Sequence, residues 1–464
     1  MGTSLTEKSS SMSDEPLART PDEPPPARSA LPEPIPLAER VSALDTLRGV
    51  AVLGILLMNI VNFGLPDAAE DNPTLAGGAT GLNLAFWFVN YVLFEGKMRA
   101  IFSMLFGAGV IILTSRAEKR DPTKVADIYY RRTLWLIVIG ALHALFLWDG
   151  DILFTYGTAG LVLYPVRRLP PPLLIGIGLL LLAAIGGRAA VEDGEIRSLR
   201  HEAEAAKAAE ENGRNLTPEQ QEAKEDWDEK LKELRPTQAD LDKEIGAHRA
   251  SYWKLMKRRL REAVGTRTSH VYEPDFLDAA GMMLIGMGLV KLGILTGKRG
   301  RSFYAGMAIL GYLVGVPLNT YVALRVAAEG FDPAGTFLLR HAAYDTGRLA
   351  VALGHIGLVM FLCQTGRMPR ALGRLAAVGR MALSNYLLES VICTLIFDGY
   401  GLGLYARLGR AELLFVVFMV WASILAISPI WLRHFRFGPV EWVWRSLTYW
   451  QRQPMLVDTR ARAS

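Results

Sequence analysis

Cysteine is scarce in this sequence: Cys363 and Cys393 are the two it contains, both in apolar stretches and 30 residues apart. That spacing suits neither a zinc site nor a disulfide framework, so both read as buried structural thiols. None of the seven histidines forms a His-x-x-x-His pair, which argues against a helical metal site. No nucleotide-binding loop, no Ser-His-Asp order and no nucleic-acid surface is present, so ATP-driven transport and soluble-type hydrolysis find no support. Gly107 and Gly109 lie inside an apolar run, where they suit close helix packing and not a phosphate loop. Short alternating strands are missing too, which excludes a membrane β-barrel. Residues 1–39 lack an apolar core and are rich in Pro, Ser and Glu. No cleavable signal peptide is expected there; the stretch reads as a disordered cytoplasmic tail before an uncleaved signal anchor.

What the sequence has is long apolar blocks. Hydrophobic residues make up 51% of its 464 positions, and runs such as Pro171–Ala190 and Leu413–Ile430 match a hydrocarbon core roughly 30 Å thick. Backbone groups in lipid must be satisfied locally, so the fold class expected is an all-α integral membrane protein. About ten spans are expected, near 47–65, 98–115, 133–148, 151–166, 171–190, 276–296, 302–324, 344–364, 375–397 and 411–431. Segment 82–94 is short and aromatic and reads as an interfacial or re-entrant helix. Loop charge then sets sidedness. Arginines and lysines fall on the side of Arg40, Arg120, Arg168, Arg301, Arg374 and Arg436; acids fall on the side of Asp67, Asp149, Asp151 and Asp332. By the positive-inside rule both termini are cytoplasmic, with Arg407 and Arg410 as local exceptions. Residues 192–270 form a charged insertion, Ala-, Glu-, Lys- and Arg-rich, with a capping box at Thr217-Pro-Glu-Gln220. It is expected as a helical arm outside the membrane. The domains are thus a tail (1–39), a membrane half (40–191), the insertion (192–270), a second membrane half (271–452) and a tail (453–464).

Ionisable groups inside a bilayer are costly, so each is a functional candidate. Asp45 and Arg48 share one face of the first span, with Asn59 deeper. Glu95, Lys97 and Arg99 interrupt the second. The strongest cluster is His143, Trp148, Asp149, Asp151 and Tyr156: an imidazole in a span, then two carboxylates at a tight turn. A neighbouring carboxylate orients a histidine and stabilises its charged form, which suits proton transfer. Asp151 reaches His143 only if the helix end unwinds. Around the eighth span lie His341, Tyr344, Asp345, Arg348 and His355, with Asp345 and Arg348 spaced to pair. Asn385 and Glu389 make a polar stripe in the ninth. Arg436-Phe-Gly-Pro-Val-Glu-Trp-Val-Trp-Arg-Ser-Leu-Thr-Tyr449 reads as an amphipathic interfacial helix.

Several of these motifs in series resemble the YeiB-like bacterial membrane proteins, whose C-terminal half is known as domain of unknown function 418. They are Leu44-Asp-Thr-Leu-Arg-Gly-Val-Ala-Val-Leu-Gly-Ile with Asn59, Phe102-Ser-Met-Leu-Phe-Gly107, His143 with Trp148-x-Gly-Asp-Ile-Leu153, Gly379-Arg-Met-Ala-Leu-Ser-Asn-Tyr-Leu-Leu-Glu-Ser390, and the stretch 436–449. The resemblance implies a bacterial inner-membrane protein. The first span is also distantly similar to transmembrane acyltransferases of the heparan glucosaminide N-acetyltransferase type. In those, a histidine just past the first span takes part in acyl transfer; Ile60–Asn83 has none, so His143 or His355 would take that part. The function expected is acyl transfer from a donor such as acyl-CoA to an envelope glycan, lipid or small molecule, with no bound cofactor or metal. In it His143 is the general base and Asp151 its orienting acid. Asp45, Arg48, Asn59, Arg99, Asp149, Tyr156, Arg348, His355, Asn385 and Glu389 are the residues expected to bind substrate. A small-molecule transporter and an envelope scaffold are the other readings. The partners expected are the bilayer and a small-molecule or glycan substrate, with an envelope protein at the insertion and no nucleic acid.

Overall fold

The computed structural model describes residues 1–2, 42–267 and 272–457. The tail expected over 1–39 lies almost wholly outside the described residues, as do 268–271 and 458–464. Among the described residues the protein is all helix, with no strand beyond one isolated bridge between Phe435 and Leu456. The helices are α1 (Ser42–Gly64), α2 (Ala68–Asp71), α3 (Gly81–Leu93), α4 (Lys97–Arg120), α5 (Val125–Phe146), α6 (Leu153–Val166), α7 (Pro171–Glu211), α8 (Pro218–Leu234), α9 (Gln238–His248), α10 (Tyr252–Arg267), α11 (Tyr272–Lys291), α12 (Arg301–Ala328), α13 (Pro333–Leu338), α14 (Tyr344–Thr365), α15 (Pro369–Arg380), α16 (Ala382–Phe397), α17 (Arg410–His434) and α18 (Pro439–Tyr449).

Among the described residues, six stretches are long and apolar enough to cross a membrane: Ala43–Gly64, Gly81–Arg120, Pro171–Glu211, Arg301–Ala328, Tyr344–Thr365 and Arg410–His434. Helices α15 and α16 make a seventh if their 83° bend is taken within one span. This falls short of the ten expected. α5 is diluted by Arg131, Arg132 and His143, α11 carries Asp275, Asp278 and Lys291, and α6 has only 14 residues. The outer surface is nonetheless greasy in the way lipid requires. Leu134, Val138, Leu142 and Phe146 make an exposed stripe at four-residue spacing on α5, and Phe418 and Met419 lie three and four residues after Phe415 in an exposed patch on α17.

Segment 82–94 is helical, as α3. α3 continues into α4 as one 40-residue stretch, broken at Glu95 and Gly96. The insertion likewise begins without a break, because α7 runs from Pro171 to Glu211. The expected capping box is present: Thr217 Oγ1 accepts the Gln220 amide at 3.3 Å, and Gln220 Oε1 accepts the Thr217 amide at 3.0 Å. A second box at Thr237 and Asp240 starts α9.

The core closes through close helix approaches. Gly379 on α15 faces the Asp45 carbonyl and Gly49 faces that of Leu375, so α1 and α15 meet backbone to backbone. On α4, a Cβ on Gly107 would stand 2.7 Å from the Met283 carbonyl carbon of α11, whereas one on Gly109 would meet nothing within 4 Å. Gly107→Ala is therefore expected to destabilise the detergent-solubilised protein by about 1–3 kcal/mol through overpacking. Gly109→Ala is expected to leave the thermal midpoint unchanged or raised; equal losses from both would contradict the packing account.

Candidate functional site

α5 ends one turn after His143. The Leu147 and Trp148 amides both fold back onto the His143 carbonyl, at 2.8 and 3.0 Å, and residues 147–152 are irregular before α6 begins. This unwinding lets Asp151 double back. Its Oδ1 lies 2.8 Å from His143 Nδ1, while its Oδ2 accepts the Phe154 amide at 2.8 Å and so caps α6. Gly140, one turn before His143, makes the room: a Cβ there would stand 2.8 Å from Asp151 Oδ2.

The other imidazole nitrogen, Nε2, lies 2.9 Å from Ser390 Oγ on α16, 247 residues away in sequence. A carboxylate that accepts from Nδ1–H leaves the Nε2 lone pair facing the serine hydroxyl, and Ser390 Oγ also lies 3.3 Å from the Tyr386 carbonyl, to which it can donate. All three side chains are buried: His143 and Asp151 are 1% and 0% exposed, and Ser390 is 1% exposed. The rings of Tyr386 and Trp148 flank the imidazole at 5.2 and 6.4 Å. The sequence reading found no Ser-His-Asp order; the fold assembles one from α5, the α5–α6 turn and α16. Chain order could not reveal it, and the signal available was Ser390 one helical turn beyond Tyr386.

Two structures bracket this group. On one side, the insertion covers it: Tyr252 donates to the Phe146 carbonyl at 3.0 Å, and Arg259 lies 3.2 Å from Asp398 and 3.9 Å from Asp149. His248 also meets Asp398, at 3.0 Å. On the other side of Tyr386 is a cavity of about 270 Å³. Its deep wall is Phe102, Leu153, Tyr156 and Tyr386. Its opposite end carries Asp45, Arg48, Arg116, Arg132, Arg380, Glu441 and Arg445.

Comparison with known proteins shows a family. The uncharacterized protein YeiB of Escherichia coli (strain K12) is 33% identical over 441 residues, covering 91% of this chain and 99% of that protein. The chain belongs to the YeiB-like family. YxaH of Bacillus subtilis (strain 168), also described as uncharacterized, is 27% identical over 439 residues, 91% of this chain and 97% of its own. A 39.9 kDa protein from the amylase 3' region of Bacillus acidopullulyticus is 25% identical over 429 residues, 92% and 99% of the two chains. The family model for Protein of unknown function (DUF418) matches residues 289–451, which include Ser390 but not His143 or Asp151. No solved structure matches.

The remaining candidates fall in separate places. Asp45 and Arg48 pair at 2.8 Å at the cavity mouth, and Tyr156 lines its deep wall with its hydroxyl 2.5 Å from Ser103 Oγ. Asn59 is half-buried on α1 and makes no side-chain hydrogen bond among the described residues. Asp149 is exposed towards Arg259. Arg348 pairs with Asp345 at 2.7 Å, as the spacing predicts, and is also held by both oxygens of Asp278. Arg99 reaches the same Asp278 at 3.9 Å. Asp278 was missed in sequence, although a carboxylate in an apolar run was the signal. Lys97 is fully buried, donating to the Tyr91 carbonyl at 2.6 Å, and makes no ion pair with Glu95 among the described residues. His355 does not join Arg348 or His143: it bridges the Tyr312 hydroxyl and the Leu93 carbonyl, each at 2.8 Å, and so holds the α3 end. The side chain of His341 lies outside the described residues. Asn385 braces the α15–α16 bend through the Val378 carbonyl at 3.1 Å and Ser428 at 3.0 Å. Glu389 is buried with Oε1 unpartnered. Arg410, the charge exception, is buried and donates to the Ala69 carbonyl.

Helix α18 packs on protein as well as being amphipathic. Glu441 Oε1 accepts the Leu383 and Ser384 amides at 2.7 and 3.1 Å, capping α16 across the bend. Glu441→Ala is expected to orphan these buried donors, at about 1–3 kcal/mol each, and to lower the melting midpoint. Asp151→Ala should do likewise by stripping His143 Nδ1 and the Phe154 amide, whereas Asp149→Ala, at an exposed carboxylate, should not. A melting comparison of the three variants in detergent checks this; equal midpoints for both aspartate variants would contradict the geometry.

Proposed function

We propose that the protein is a membrane-embedded acyltransferase in which Ser390, His143 and Asp151 carry the acyl group across. The observation that supports this is the hydrogen-bonded chain from carboxylate to imidazole to hydroxyl, buried beside an apolar cavity. A serine hydroxyl is a weak nucleophile until a base takes its proton, and a histidine fixed by a carboxylate is such a base. Ser390 Oγ attacks the acyl carbonyl of the donor while His143 Nε2 takes the hydroxyl proton. The donor's thiol or alcohol leaves with that proton, and an acyl-serine remains. An acceptor hydroxyl then gives its proton to the same nitrogen, attacks the acyl-serine carbonyl, and Ser390 leaves as the hydroxyl once His143 returns the proton. Asp151 holds the imidazole through Nδ1 throughout.

The proposed setting is a bacterial inner membrane crossed ten times, by α1, α3–α4, α5, α6, α7, α11, α12, α14, α15–α16 and α17. Both termini would be cytoplasmic and the insertion outside. The exposed apolar stripe on α5 supports counting that helix, despite its arginines. In this orientation the arginine-lined end of the cavity faces the cytoplasm and the insertion caps the outer end. A cytoplasmic donor and an envelope acceptor, whether glycan, lipid or small molecule, then approach Ser390 from opposite sides.

Reconstituted protein offered radiolabelled acyl-CoA and an envelope extract is expected to move label to a new product. Ser390→Ala and His143→Ala should each lower the rate by about 10³-fold or more with folding intact, because the residues act as a unit. Unchanged transfer in either variant would overturn the assignment. Solute counterflow in liposomes with no covalent product would move the function to transport.

A further inference from the structure

The arginines at the far end of the cavity do nothing for Ser390, yet they are gathered around the mouth of an apolar shaft. Arg132 stacks over Trp444 at 3.6 Å, and Arg445 stands over Phe437 at 4.7 Å. Neither makes an ion pair among the described residues. Arg380 has a buried Nε with no hydrogen-bond partner. Of the two acids nearby, Asp45 is taken by Arg48 at 2.8 Å, and Glu441 is spent on the first amides of α16. Positive charge is therefore in excess at a half-buried mouth. Burial, with the Arg48 guanidinium adding to it, holds Arg445 below the ordinary arginine range despite Tyr449 and Glu441 opposing.

Cations that outnumber the acids beside them mark a place for an anion, and planar guanidinium forks fit phosphate oxygens two at a time. Below the mouth the walls are Leu105, Phe106, Leu136 and Leu153. From Arg132 to His143 the helix rises about 16 Å, a distance that an extended acyl chain spans. The cavity, of about 270 Å³, is lined along α4 from Phe102 to Arg116.

We propose that the cavity binds an acyl amphiphile with a phosphate-bearing headgroup, the phosphate on Arg132 and Arg445 and the chain running towards Tyr386. The fate of the acyl group rests on the acyl-transfer reading; the binding does not. Acyl-CoA from solution and a phospholipid from the bilayer share this chemistry, and the test separates them.

Full-length protein is purified, and dodecanoyl-CoA binding is measured by titration calorimetry. Native mass spectrometry on the same preparation records retained phospholipid. The variants are Arg132→Gln with Arg445→Gln, Leu136→Trp to fill the shaft while sparing the arginines, and Ser390→Ala. Binding of dodecanoyl-CoA that weakens about tenfold or more in the double variant and in Leu136→Trp supports a soluble donor. Retained phospholipid lost from both variants supports a bilayer source. Ser390→Ala is expected to bind as the parent does in either case. Absence of both ligands, or affinities that neither variant moves, overturns the inference. Should transfer require Ser390 while donor affinity ignores the arginines, this inference fails and the acyltransferase reading stands. Should binding need the arginines while transfer ignores Ser390, the reverse holds.

Discussion

An imidazole buried in a membrane protein needs a partner for each nitrogen, because lipid offers none. His143 finds them on two sides: Asp151 from the turn that follows its own helix, and Ser390 from a helix 247 residues away. The rest of the local structure serves that bridge. The end of α5 unwinds so that Asp151 can return, Gly140 leaves space for its carboxylate, and Glu441 caps α16 so that Ser390 is held in register. A second buried group follows the same constraint, where Asp278 of α11 compensates Arg348 and Arg99.

Much of the helical architecture is legible in the sequence because hydrocarbon imposes a long apolar pattern that survives without context. The blocks at Pro171 and Leu413 mark α7 and α17, and Thr217 marks the start of α8. Crossings with internal charge are harder to read. Arg131 and Asp278 find their partners only in the tertiary structure, at the Thr448 carbonyl and Arg348. The aromatic residues of α3 suit an interface, and they also pack on the protein, where Trp87 meets Phe331 at 5.0 Å.

The candidate site divides the same way. His143 and Asp151 are close in sequence, so their pairing could be anticipated from the turn between them. Ser390 could not, since its neighbour Glu389 is the more conspicuous polar residue of that apolar run. His355 looked equivalent to His143 in a list of intramembrane histidines. Its two hydrogen bonds, to Tyr312 and the Leu93 carbonyl, leave no nitrogen for chemistry. The distinction between a satisfied histidine and a poised one lies in what the second nitrogen touches.

The central claim is that His143 and Asp151 activate Ser390. A fluorophosphonate, which reacts with base-activated serines, tests it directly when offered to the full-length protein and followed by peptide mass spectrometry. The account predicts one adduct, on Ser390, absent in His143→Gln and reduced in Asp151→Asn. No adduct on Ser390, or an adduct indifferent to His143, would contradict it.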